Sequence, residues 1–98
     1  MISEILFEVD NKDELSEKYR LIEKDISEKT FKNAASIHSI SSSSSLGGNL
    51  GWINIKSLNT KIKKEVLNIK IGSYTKPILI PGGFLILKVN DIREVKEN

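Results

Sequence analysis

Residues 81–92 have the sequence PGGFLILKVNDI, and this stretch decides the architecture of the chain. The Pro-Gly-Gly turn at its start separates two apolar runs, which is a strong signal for a β-hairpin. Its strands are predicted at 75–80 and 84–92. Because the second strand is almost continuously apolar from Phe84 to Val89, both of its faces should be covered near its middle.

The first third of the chain predicts a strand followed by a helix. Residues 2–9 (ISEILFEV) alternate in character, so that Ile5 and Phe7 share one face while Glu4 takes the other. Residues 12–28 place one apolar residue at every third or fourth position, as a helix packed on a core requires. These apolar residues are Leu15, Tyr19, Ile22 and Ile26.

The middle of the chain predicts two more helices and a short extended piece. Thr30 is a candidate N-cap for the second helix. Trp52 begins the extended piece, and a third helix starts at Ser57 or Asn59 and stops at Gly72. The third-helix residues expected to point inward are Ile62, Val66 and Leu67. The element order is β-α-α-β-α-β-β, so the predicted fold class is α+β, a small, mostly antiparallel four-stranded sheet flanked by three to four helices.

Residues 39–51 (SISSSSSLGGNLG) break every periodicity. Five consecutive serines would suit a flexible linker between two domains. Each flank, however, has only about 40 residues, too few to bury a core of its own. A loop inside one domain, residues 1–98, is the better interpretation. Since a strand follows residue 1 at once, the chain is expected to be a domain excised from a longer one.

Composition limits the kinds of chemistry that are available. The 98 residues include no cysteine and one histidine, so neither a disulfide nor a zinc site can form, and no metal or cofactor is expected. Residues 1–33 carry nine acidic against six basic side chains, whereas residues 34–98 carry four against nine. The basic half is compatible with a nucleic-acid partner, but no RNA-binding motif accompanies it, and a solvated lysine-rich face is the preferred interpretation. No stretch approaches the roughly 20 apolar residues of a membrane span.

Three segments carry a resemblance to a known family. LGGNLGW at 46–52 resembles the GGDLGW-type signature of parvulin domains, the PpiC or rotamase type of peptidyl-prolyl cis-trans isomerase. GGFLILKVNDIRE at 82–94 resembles the last strand of the same family and is most similar to parvulin domains of SurA-type periplasmic chaperones. FKNAASIHS at 31–39 resembles the helix before the family's active-site loop. The resemblance covers residues 2–93 and implies a parvulin-like fold.

The resemblance also implies where the site residues lie. Parvulins usually have one histidine on the first strand and another on the last, with a cysteine or aspartate in the loop before the glycines. Glu4, Leu85 and Ser41 occupy these three positions, so none of the family's catalytic residues is matched. The proline-binding positions are closer to the family's pattern, because Leu58 matches a Met or Leu and Ile62 replaces a Phe by another apolar residue.

Several residues near this site allow more than one interpretation. Phe84 is a predicted wall of the substrate pocket, with a buried core position as the alternative, and Trp52 is expected in the core. Glu4 either faces the site half-buried or points to solvent at an open pocket edge. Ser41 could offer a hydroxyl to the site, but simple serine-rich loop composition is the preferred interpretation. His38, at the end of the second helix, is expected to cap helix carbonyls or to lie beneath the loop rather than to act in catalysis.

Three functions are compatible with these features. The resemblance implies an isomerase or chaperone domain that binds proline-containing or unfolded polypeptide, with catalysis weak or lost. The alternatives are a non-catalytic peptide-binding module of a SurA-like chaperone and a purely structural, partner-docking domain. The expected domain is monomeric, binds no nucleic acid, does not insert into membranes and is periplasmic by the same resemblance.

Overall fold

The structure, a computed structural model, describes residues 1–93 of the 98. The helices and strands of this part follow one another in the predicted order. They are strand β1 (Ile2–Phe7), helices α1 (Leu15–Glu28) and α2 (Phe31–His38), strand β2 (Asn49–Gly51), helix α3 (Thr60–Leu67), and strands β3 (Ile78–Ile80) and β4 (Gly83–Val89). The α+β class is therefore confirmed. The domain bounds 1–98 stay a prediction, because residues 94–98 lie outside the described part.

The four strands form one antiparallel sheet in the order β2-β1-β4-β3. Its centre is the pairing of β1 with β4, which runs without a break from Ile2 opposite Val89 to Phe7 opposite Phe84. The two ends of the described chain thus meet in the middle of the sheet. Leu85, Ile86 and Leu87 are all buried, which confirms that β4 is covered on both faces.

Helices α1 and α2 cover one face of the sheet. Ile5 and Phe7 of β1 and Ile86 of β4 are fully buried against them, because alternate residues of a strand point the same way. The helix residues in this layer are Ile22, Phe31, Ala34 and Ala35, with Leu15, Tyr19 and Ile26 around them. Each large apolar side chain buried in this way stabilises the fold by about 1.5–3 kcal/mol.

Helix α3 covers the other face. A second buried layer, Ile2, Ile78, Leu85 and Leu87, lies there, with half-buried side chains packed against it. Asn59 begins the helix as an N-cap, since its Oδ1 accepts a hydrogen bond from the Ile62 N–H at 2.9 Å. None of the helices formed by residues 1–93 is long and apolar enough to cross a membrane.

The prediction for the end of α3 was wrong. The helix ends at Leu67 and not at Gly72, and Leu67 is 63% exposed although it was expected to point inward. The Gly72 N–H donates to the Val89 carbonyl at 2.7 Å. This hydrogen bond places Gly72 beside β4. Residues 68–71 must cover the distance from the end of α3 to that point, so the helix cannot continue through them.

The expected core position of Trp52 was also wrong. Its side chain is 42% exposed, and the guanidinium of Arg93 lies 4.3 Å above its ring centroid. Strand β2 ends at Gly51 on the outer edge of the sheet. The Trp52 ring is therefore partly exposed to solvent, and the Arg93 cation lies over its face.

His38 joins the two helices of the first layer. Its Nε2 lies 2.6 Å from Asp25 Oδ2 of α1, whereas the sequence predicted a cap on helix carbonyls or a place beneath the loop. The hydrogen bond with His38 holds the pKa of Asp25 below its usual value, and Lys29 adds to this effect. The histidine thus has a structural partner on α1.

Two tyrosines are held between α1 and the sheet. The Tyr19 hydroxyl donates to the Thr75 carbonyl at 3.4 Å, and the Tyr74 hydroxyl donates to Glu23 Oε2 at 3.1 Å. Burial, with the nearby Glu23 carboxylate and Tyr74, raises the pKa of Tyr19 to about 12. Burial and the hydrogen bond to Glu23 also raise the pKa of Tyr74 above 10.0.

These tyrosines predict how stability depends on alkaline pH. In the unfolded chain both phenols lose their protons near pH 10, whereas in the folded chain Tyr19 keeps its proton until about pH 12. The unfolded state therefore binds fewer protons in this range, and the free energy of unfolding should fall as the pH rises from 10 towards 12. Phenolate absorbance reports the titration directly, because Tyr19 and Tyr74 are the two tyrosines of the chain.

The same titration in denaturant is the control. We expect its midpoint near 10, below that of the folded chain. Tyr74→Phe should leave a single high midpoint, that of Tyr19. Equal midpoints in the folded and unfolded chain would contradict the packing described for these rings.

Candidate functional site

The serine-rich loop lies along the edge of β1. The Ile40 N–H donates to the Leu6 carbonyl at 2.7 Å, and the Leu6 N–H donates to Ser39 Oγ at 3.1 Å. Further along, the Glu4 N–H donates to the Gly48 carbonyl at 2.8 Å. The loop is thereby fixed to β1 at both of its ends, so its serines face the middle of the strand.

Gly48 permits this close approach. Its φ is +78°, in the left-handed region, and a Cβ at this position would lie 2.2 Å from the Glu4 carbonyl oxygen. Any side chain would therefore push the loop away from β1. Of the two glycines in the segment that resembles the parvulin signature, the second, Gly48, is therefore required by the contact with β1.

Glu4 is the centre of a polar cluster. Its Oε1 accepts one hydrogen bond from Ser41 Oγ at 2.6 Å and another from Ser43 Oγ at 2.8 Å. Ser43 Oγ also lies 3.3 Å from Ser41 Oγ, but one hydroxyl proton serves one acceptor, and the carboxylate is the stronger one. Glu4 is half-buried, and its carboxylate is bound by the serine-rich loop. Of the two predicted alternatives, the structure therefore shows the half-buried one.

The two serines are more than loop composition. Ser41 is the N-cap of the 3₁₀ turn Ser42–Leu46, and its hydroxyl oxygen lies 3.4 Å from the Ser43 N–H. Ser43 is buried, and the sequence analysis did not single it out. The available signal was the two-residue spacing from Ser41 to Ser43, which an unbroken run of five serines conceals.

An apolar surface lies on the same face of the sheet as Glu4. Leu85 stands opposite Leu6 on β1 and opposite Ile78 on β3, which forms a row across three strands. Leu58 and Ile62, both half-buried, are packed against the cluster that contains Leu85. We call the half-buried Leu58 and Ile62, together with the buried Leu85 of the cluster that they pack against, the α3-side surface.

Phe84 lies on the opposite face of the sheet. It stands directly opposite Phe7, and the two rings stack with their centroids 5.9 Å apart, in the layer covered by α1 and α2. Neighbouring residues of a strand point to opposite faces, so Phe84 and Leu85 cannot share a pocket wall. The predicted contact of Phe84 with substrate stays a prediction, and the α3-side surface is formed without it.

The arrangement provides apolar contact and one carboxylate. At the two positions where the family usually has histidine, Glu4 binds serine hydroxyls and Leu85 is 6% exposed, without a polar atom in its side chain. Within residues 1–93 no group of three carboxylate, histidine or cysteine side chains is placed to bind a metal ion. The site offers apolar side chains and a carboxylate, but no histidine pair.

Comparison with solved structures supports the fold. The chain is similar to a PpiC-type peptidyl-prolyl cis-trans isomerase domain, with 28% identity and a TM-score of 0.76 over 99% of this chain and 93% of that one. It is also similar to PrsA from Bacillus subtilis, with 26% identity and a TM-score of 0.74 over 96% of this chain and 35% of that one.

Comparison of sequences shows the family. Chaperone SurA of Pseudomonas putida is 35% identical over 68 residues, which is 69% of this chain and 16% of the relative. The chain therefore spans about a sixth of the length of such curated relatives. The family model described as rotamase, the PPIC-type PPIase domain, matches residues 5–91. The chain belongs to this parvulin-type family of peptidyl-prolyl isomerase domains.

Proposed function

We propose that the domain binds proline-containing or unfolded polypeptide at the α3-side surface, and that its isomerase turnover is weak or lost. One observation supports both parts of the proposal. Leu58 and Ile62 are packed against the cluster that contains Leu85, and by the sequence resemblance Leu85 occupies one of the family's histidine positions. Apolar side chains are thus present where a proline ring would be held, while a polar group of the usual site is replaced.

Binding requires little beyond this surface. Leu58 and Ile62 are only half-buried, so each can still gain from covering its exposed area. Transfer of apolar area out of water contributes roughly 25 cal/mol for each Å², which favours a proline ring or another apolar side chain. A partner of mixed sequence could be held in this way with low affinity.

Turnover requires more than an apolar surface. Rotation about an Xaa-Pro bond crosses a barrier of roughly 20 kcal/mol, because amide resonance opposes twisting. A site accelerates the rotation only if it stabilises the twisted amide more than the planar ones. Leu85 can exclude water, but its side chain has no donor or acceptor for the twisted amide, and this absence supports weak turnover.

The second candidate is a non-catalytic module, either for peptides or for docking to a partner. The serine contacts of Glu4 favour it, because both hydroxyls that could serve a substrate donate instead to this carboxylate. In both candidates we propose a monomeric domain of a SurA-like chaperone that needs no cofactor, binds no nucleic acid and does not insert into membranes. A periplasmic location is also proposed, on the resemblance alone.

Leu58→Ala tests the binding part of the proposal. Removal of the side chain should weaken the binding of an Ala-Pro-containing peptide several-fold, because part of the apolar contact is lost. The measurement is a peptide titration followed by NMR, combined with exchange spectroscopy for the cis/trans rate. Wild-type exchange should lie close to the uncatalysed rate.

Leu21→Ala is the matched control. Leu21 is an exposed leucine on α1, on the other face of the sheet, so its removal should leave peptide affinity unchanged. Equal losses in both variants would point to a general loss of structure. Strong catalysis by the wild-type chain would contradict weak turnover, and absence of peptide binding would contradict the binding part.

Leu85→His tests whether this family histidine position has become part of the core. A histidine between Leu6 and Ile78 would place polar nitrogens in an apolar row, so the free energy of unfolding should fall by about 1–3 kcal/mol. Urea denaturation measures the change. The control is Leu79→His, because Leu79 follows Ile78 in β3 and is 62% exposed. This change should alter the free energy of unfolding by less than about 0.5 kcal/mol. A stable Leu85→His variant would show that the position tolerates the family's residue.

A further inference from the structure

The carboxylate of Glu4 is held with one oxygen used and the other available. Both serine hydroxyls donate to Oε1, and Oε2 has no hydrogen-bond partner among residues 1–93. In that part of the chain no fully buried side-chain oxygen lacks a partner, so Oε2 keeps some contact with solvent. The two hydroxyls fix the direction of the group before any ligand arrives, which lowers the entropic cost of using it.

Two lysines close to the sheet have other partners than this carboxylate. Among residues 1–93 the basic side chain found within ion-pair distance of a carboxylate is His38, beside Asp25, and it lies on the side of α1 and α2. Lys61 Nζ is held by the Leu79 carbonyl on β3, two strands from β1 and so roughly 10 Å away. Lys88 points to the opposite face, with its Nζ 5.8 Å from the centroid of the Phe31 ring.

Glu4 flanks the α3-side surface in the register of the sheet. In the pairing of β1 with β4, Glu4 stands opposite Leu87 and Leu6 stands opposite Leu85. Glu4 and Leu85 are therefore diagonal neighbours on one face, with Cβ atoms roughly 7 Å apart. An extended chain advances about 3.3 Å per residue, so this separation corresponds to about two residues of a bound peptide.

We infer that Glu4 selects polypeptide segments in which a lysine or arginine lies one or two residues from a proline. The proline is held by Leu58 and Ile62, and the cation meets Glu4 Oε2. This specificity rests on the proposed peptide binding at the same surface.

The test is a set of peptides that differ at one residue beside proline. Fluorescence titration of the 98-residue chain compares Ala-Lys-Pro-Ala with the same peptide carrying acetyl-lysine, which keeps the side chain and removes its charge. We expect about 5-fold tighter binding of the lysine peptide at low salt, and a smaller ratio as salt rises. Glu4→Gln should reduce the ratio to about 1, since the amide can still accept from the serines but carries no charge.

Two further variants keep the result interpretable. Glu17→Gln removes the same charge from the exposed face of α1 and should leave the ratio unchanged. Ser43→Ala removes one of the two hydrogen bonds that fix the carboxylate, so it should lower the affinity ratio of the two peptides without abolishing it. This variant provides the test if Glu4→Gln does not fold.

Three results would overturn the inference. Equal binding of both peptides by the wild-type chain removes the specificity and leaves the proposed peptide binding intact. A lysine preference that persists in Glu4→Gln assigns the selection to another group. Failure of both peptides to bind removes the inference together with the proposed function.

Discussion

The pairing of β1 with β4 is the constraint on which the rest of the structure depends. It joins residues 2–7 to residues 84–89, so the chain must close a loop of most of its length before these strands can meet. Because the side-chain period of a strand is two, the register also decides which residues face which layer. A slip by one residue would move Leu85 to the side of α1 and α2 and would place Phe84 beneath α3.

The position of the serine-rich loop follows from the same strand. Strand β2 pairs with β1 at Ile2 and Ser3, so the rest of that edge of β1 can accept the loop through Glu4 and Leu6, and Gly48 permits the backbone to come close enough. The hydroxyls of Ser41 and Ser43 then reach Glu4. Glu4, at the first of the family's histidine positions, thus accepts hydrogen bonds from both serines through Oε1. Its carboxylate is therefore an integral part of the folded structure.

Much of the fold could be predicted from local patterns, whereas the site depended on pairing that the sequence does not display. The hairpin at 81–83, the helical stripe that includes Ile22, and the cap at Thr30 are local signals, and the structure confirms them. Phe84 could not be assigned to a face, because FLILKV is apolar at every position except Lys88 and hides its own alternation. The contact between Glu4 and Ser43 spans 39 residues, so no local pattern could show it.

The central claim is that polypeptide binds on the α3 side of the sheet, beside a fixed carboxylate. The most direct measurement is amide chemical-shift mapping of the 98-residue chain with a proline-containing peptide. The account predicts shifts concentrated at Leu58, Ile62 and Glu4, with smaller changes at Ile22 and Phe31, beneath the other face. Shifts concentrated around α1 and α2, or no shifts as peptide is added, would contradict it.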